Sequence, residues 1–143
     1  MLAAHPDPAR FIRFDASHRT ALVTLIAGYD SSNNGFNFDG YGRGELLVSV
    51  PLGWRVRVTC TNRSALPNSC AIVRGAGTAT PAFRGASTPT LVRGSTASFA
   101  IVASRVGAYR MTSLVPGHAE ARMFDVLEVT RDGKPGYRVR PGP

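Results

Sequence analysis

Glycine and proline punctuate this chain so densely that long helices are excluded before any other feature is weighed. Fifteen glycines and ten prolines fall within 143 residues, and no stretch of ten residues between them reads as a convincing helix. The intervals carry strand chemistry instead. Residues 54–61 alternate strictly: Trp54, Val56, Val58 and Cys60 share one face, Arg55, Arg57, Thr59 and Thr61 the other. A period of two with arginines outside predicts a half-buried strand. Further strands are predicted over 20–28, 45–50 (stopped by Pro51), 69–73, 95–102, 109–112 and 123–130, with a short extension ending at Val139. The loops are 29–44, 62–68, 74–95 and 113–122. Seven or eight short strands with frequent turns predict an all-β fold, a two-sheet antiparallel sandwich with Greek-key connections. The expected organisation is an irregular N-terminal arm over 1–19, one domain over 20–130 and a C-terminal tail over 131–143 that is mobile from Arg138 on.

Composition narrows the function classes. Hydrophobic residues make up 43% of the chain, enough for one buried core. No apolar run approaches the ~20 residues of a membrane-spanning helix. The first residues lack a basic segment and an apolar segment, so no signal peptide is expected in this numbering. Net charge is +8, and Lys134 is the sole lysine. Arginine heads favour bidentate bonds to carboxylate or phosphate, which suits an acidic protein or an anionic membrane surface. The arginines are scattered and do not interleave with aromatics, so nucleic acid is not an expected partner. Cys60 and Cys70 are too few for a disulfide scaffold or a zinc site. Three fates stay open for them: one bridge across what reads as a hairpin turn, two inert buried thiols, or one metal ligand at Cys70.

Three segments carry a family signature. One is Phe36-Asn37-Phe38-Asp39-Gly40-Tyr41 followed by Val50-Pro51-Leu52-Gly53-Trp54. The second is Leu66-Pro67-Asn68-Ser69, and the third is Gly107-Ala108-Tyr109 leading to Val115-Pro116-Gly117-His118-Ala119 and Met123. In order and spacing they resemble the cupredoxins, sulfocyanin-like members in particular. The resemblance implies a Greek-key β-sandwich holding one mononuclear copper, in proteins that shuttle electrons outside the cytoplasm. It places the ligand positions at Asn68, Ser113, His118 and Met123. The family has a histidine where this chain has Asn68 and a cysteine where it has Ser113, so the site is degenerate.

Blue copper needs two imidazoles and a thiolate, with methionine only weakly bound. His118 and Met123 alone make a weak site, and an asparagine amide and a serine hydroxyl are poor copper ligands. No metal cofactor is therefore expected. The alternative is a copper site moved to Cys70, His118 and Met123; against it, Cys70 lies two strand residues, ~6.5 Å, beyond Asn68. His118 beside Ser113 lacks a third orienting group and a nucleophile-elbow pattern, so no enzyme is expected. What remains is a copper-free interaction subunit, peripheral and periplasmic or otherwise extracytoplasmic, docking on a larger membrane-associated protein complex of the respiratory or photosynthetic kind. Its expected contact residues are Phe11, Arg13 and Phe14 in the arm, with Arg138 and Arg140 in the tail. Deleting both ends is expected to leave stability unchanged.

Overall fold

A computed structural model describes residues 5–142. Nine strands are found among them: β1 (Ile12–Asp15), β2 (Thr20–Ala27), β3 (Leu46–Pro51), β4 (Arg55–Asn62), β5 (Ala71–Val73), β6 (Thr96–Val102), β7 (Gly107–Thr112), β8 (Phe124–Thr130) and β9 (Gly136–Val139). They form a four-stranded sheet of order β1-β2-β4-β6 and a five-stranded sheet of order β5-β7-β8-β3-β9. The predicted sandwich is present, but its pairing is mixed. β2 runs parallel to β4, and β3 runs parallel to β8. Parallel neighbours need a crossover rather than a hairpin. Between β2 and β4 the crossover is β3, a strand of the opposite sheet; between β3 and β8 it is the run β4–β7, which passes through both sheets.

The core lies between the sheets. The inward face of β4 is as its alternation predicts: Trp54, Val56, Val58 and Cys60 are buried, while Arg55 and Arg57 are exposed. Each such apolar side chain contributes about 1.5–3 kcal/mol. β8 shows the same period, with Leu127 and Val129 inward among the core residues and Phe124 and Val126 outward beside Leu47. The long loop over 74–95 is also tied in. Isolated bridges join Val73 to Pro81, Ala71 to Ser87 and Asn68 to Leu91, and Phe83, Ala86 and Leu91 are buried in the core.

Both ends differ from their expectation. β1 adds an edge to β2, and Phe11 and Ile12 are 6% and 4% exposed within the core. The Tyr41 hydroxyl donates to the Pro6 carbonyl at 2.6 Å, and the His5 ring stacks on Tyr41 at 4.5 Å. The arm is thus part of the sandwich, and Phe11 is not available as a partner anchor. Phe14 is partly buried against the same core. At the other end β9 pairs antiparallel with β3, and Arg140 donates through its amide to the Glu45 carbonyl and through Nε to the Gly44 carbonyl. Arg13, Arg138 and Arg140 remain exposed. These edge strands are four residues each, too short for a period of two to be read with force.

The cysteines form a disulfide, Cys60–Cys70, with Cα atoms 6.0 Å apart. It does not span a hairpin. Cys60 lies in β4 of one sheet, and Cys70 immediately precedes β5 of the other, so the bridge ties the two sheets together.

Candidate functional site

Two loops carry the ligand positions implied by the family resemblance, and the fold brings those loops together. The turn after β4 is organised by Asn62, a fully buried side chain. Its Nδ2 donates to the Leu66 and Leu91 carbonyls, both at 2.8 Å, and its Oδ1 accepts from the Ser64 amide and from Asn68 Nδ2, both at 3.0 Å. Asn68 is therefore held back against its own turn, with Nδ2 also 3.3 Å from the Leu66 carbonyl. Its Oδ1 is buried and has no hydrogen-bond partner.

Ser113 and Ser69 knit this turn to the loop after β7. The Ser69 amide donates to Ser113 Oγ at 3.2 Å, and the Leu114 amide donates to Ser69 Oγ at 2.9 Å. Ser113 Oγ lies 3.1 Å from His118 Nδ1 and also accepts weakly from the Val115 amide. With its lone pairs taken by backbone donors, the serine hydroxyl is left to donate a hydrogen bond to Nδ1, an assignment that puts the ring proton on Nε2. Burial lowers the His118 pKa from its ordinary 6.5, favouring this neutral form. Phe36 packs edge-on against the imidazole, ring centroids 5.2 Å apart. Met123 is fully buried, and its amide donates to the His118 carbonyl. Beside these groups is a cavity of about 40 Å³, lined by residues that include Phe36, Leu66, Asn68 and His118.

Asn68, Ser113 and His118 meet where the two loops join, with Met123 tied to His118 through its backbone amide, and the donor set these residues present does not fit copper. One imidazole is present and its Nδ1 is engaged by a hydroxyl. The thiolate position is an alcohol. The alternative ligand Cys70 is corrected by the structure: its sulfur is bonded to Cys60 and offers no thiolate. Among the described residues, no three His, Cys, Asp or Glu side chains form a group able to hold a metal.

Two buried acids escaped the sequence reading. Asp39 and Asp125 are both 0% exposed. Asp39 clasps β2: its amide donates to the Ile26 carbonyl at 2.9 Å, and its Oδ1 accepts from the Ile26 amide at 2.8 Å. Its Oδ2, and both oxygens of Asp125, have no partner. Burial pushes both carboxyls well above their ordinary 3.8, and for Asp125 the nearby charges of Asp39 and Glu45 add to it. Tyr41 beside them is pushed up to about 12, first by burial and then by these carboxylates. The signal for Asp125 was its register: it occupies an inward position of β8, two residues before Leu127.

The sandwich, with the Ser113–His118 loop set against the turn bearing Asn68, defines a cupredoxin-fold domain, and comparison with known proteins narrows this. The Sulfocyanin (SoxE) domain family matches residues 8–90, more than half of the chain. The chain belongs to the sulfocyanin family. Sulfocyanin of Sulfolobus acidocaldarius is 31% identical over 68 residues, which cover 48% of this chain and 34% of that protein. The match thus spans about a third of the curated relative's length. Among solved structures, reduced auracyanin from the photosynthetic bacterium Roseiflexus castenholzii has a TM-score of 0.57 at 21% identity, covering 75% of this chain and 94% of its own. Rusticyanin from Thiobacillus ferrooxidans has a TM-score of 0.54 at 19% identity, covering 78% of each chain. A chain of a heme-copper terminal oxidase dimer has a TM-score of 0.52 at 14% identity, covering 83% of this chain and 69% of its own. These likenesses are likenesses of fold.

Proposed function

We propose that this protein is a copper-free member of its family, an interaction module that docks on an extracytoplasmic protein assembly. The observation that carries the reading is the closure of the ligand loops upon each other. Asn68 turns to Asn62, Ser113 binds Ser69 and His118, and both cysteines are consumed in a bridge between sheets. A disulfide also suits an oxidising compartment outside the cytoplasm. That a chain of this fold occurs in a heme-copper terminal oxidase supports a membrane electron-transfer complex as the kind of assembly. No catalytic role is assigned: the Ser113–His118 pair has no acidic group on its second ring nitrogen among the described hydrogen bonds, and both side chains are buried.

The test is metal binding by the oxidised, full-length chain. Titration with copper(II), followed by metal analysis and visible spectroscopy, is expected to give no intense thiolate band. Affinity should be unchanged when His118→Ala removes the buried imidazole. A stoichiometric coloured complex in the unmodified protein would overturn the reading.

A further inference from the structure

The outward face of the four-stranded sheet is free of acid over three of its strands. β2, β4 and β6 contain no aspartate or glutamate at all. The one acid in this sheet is Asp15, at the end of β1, where its carboxylate is occupied by His18 at 2.7 Å and by Ser17. The register lays the arginines out in adjacent rows. Arg13, Leu22, Arg57 and Ala100 are successive partners across all four strands. The next row runs Asp15, Thr20, Arg55, Val102, with Asp15 at the β1 end and its carboxylate held by His18 and Ser17. Arg13 and Arg57 thus stand two strands apart, ~10 Å, and Arg55 and Arg57 are two residues apart, ~7 Å.

The flanks continue the charge. At one edge Arg10, Arg13 and Arg57 line an open hollow of about 460 Å³ floored by Leu22 and Thr24. At the other, Arg55, Arg84 and Arg105 line one of about 440 Å³ beside Val102. Arg105 is already positioned, donating to the Ala82 carbonyl at 2.8 Å with its head 6.0 Å from the Phe83 ring centroid. Among the described residues no carboxylate pairs with Arg13, Arg55 or Arg57.

We propose that this face, centred on Arg13, Leu22, Arg55 and Arg57, docks a carboxylate-rich surface of a partner protein. The proposal rests on reading the chain as an interaction module and names where that module binds. Relief and chemistry select the partner class. Phe14 and Phe99 pack toward the core, and Phe11 and Phe83, which line the two hollows, are only 6% and 8% exposed, so the face has no projecting aromatic side chain to sink into a bilayer or to stack on bases. Leu22 and Val102 give it modest apolar patches, 39% and 49% exposed, between the charges. Guanidinium heads on rigid strands meet carboxylates in bidentate geometry with little loss of freedom.

The experiment is a titration of the isotopically labelled full chain, read by backbone amide shifts. The probe is a synthetic glutamate-rich peptide; phosphatidylglycerol vesicles and duplex DNA are tested at equal anionic charge. The peptide is expected to shift amides of β1, β2 and β4 around Leu22 and Arg57, and to be released by salt. Combining Arg13→Gln, Arg55→Gln and Arg57→Gln should weaken it about tenfold, three exposed pairs at roughly 0.5 kcal/mol each. Combining Arg74→Gln, Arg93→Gln and Arg131→Gln, the same loss of charge elsewhere, should weaken it less than about twofold. Equal losses in the two triple variants, shifts confined to other surfaces, or tighter binding to vesicles or DNA would each overturn the proposal. The wild-type shift map decides the matter even if a variant misfolds. Copper binding by a chain whose sheet still takes the peptide would sink the metal-free reading and leave this face standing.

Discussion

Two polar regions are buried inside this sandwich, and they have reached opposite settlements. Around His118 the polar atoms have mostly found neutral partners: hydroxyl with imidazole, hydroxyl with amide, amide with amide. Around Asp125 three carboxylate oxygens have found none. A buried hydroxyl or amide is made harmless by one hydrogen bond. A buried carboxyl without donors is made harmless only by a proton. The first region is neutral by pairing, while in the second burial shifts the carboxyls toward their protonated form.

The sharpest way to break this contrast is to cut the disulfide that positions the first region. Cys60→Ala with Cys70→Ala releases the turn bearing Asn68 and Ser69 from β4, and is expected to cost about 2–3 kcal/mol. Chemical denaturation measures it. If stability holds while the Ser69 and Ser113 amide shifts stay put, the loop contacts alone suffice.

Next in size is Asp125→Leu, which removes two unpartnered oxygens from the core. At neutral pH it should stabilise the fold by about 1–3 kcal/mol. The pH dependence carries the sign. A carboxyl whose folded-state pKa lies above its unfolded 3.8 favours folding fully below about pH 4. That contribution is lost as pH rises through the raised value. Asp39 acts in the same direction. His118, lowered from 6.5, acts oppositely: its contribution is complete above pH 6.5 and drains away as pH falls through the lowered value. Stability measured across pH should therefore decline less steeply with rising pH in Asp125→Leu, the part due to Asp39 remaining, and keep its acid-side decline.

Smaller is Ser113→Ala. It strips the hydroxyl from His118 Nδ1 and from the Ser69 amide, and should cost about 1–2 kcal/mol. Imidazole resonances should show a changed Nδ1 environment; an unaltered ring would show that the pair is incidental. The most visible effect is expected from Asn68→His combined with Ser113→Cys. These changes restore the missing imidazole and thiolate positions, and a coloured copper complex should follow if the loops open enough to accept it.

Much of the fold could be read from sequence because long alternating runs leave one register that buries the apolar set. β4 and β8 are such runs. β1 and β9 are not: four residues beside prolines or glycines look like arm and tail until a partner strand is supplied. Removing residues 5–15 should accordingly destabilise the protein by several kcal/mol, roughly the burial of Phe11 and Ile12 at about 1.5–3 kcal/mol each, rather than leave it unchanged. The meeting of the loops bearing Asn68 and His118 was legible from their spacing along the chain. The disulfide's span and the buried acids were not. Both depend on which strands face each other across the core, and the sheet changes between β2 and β6 decide that.

Those sheet changes also set a schedule. β3, over residues 46–51, lies between β8 and β9 in its own sheet, and both partners come from residues 124–139. Until that last stretch of chain is free, β3 has two unsatisfied edges and the five-stranded sheet has no centre. The four-stranded sheet can assemble earlier, since β6 ends at Val102. Assembly of this kind, dominated by distant pairings, is slow. A nascent chain therefore completes its sandwich only after β8 and β9 have been synthesised, its four-stranded sheet keeping an exposed apolar face until then.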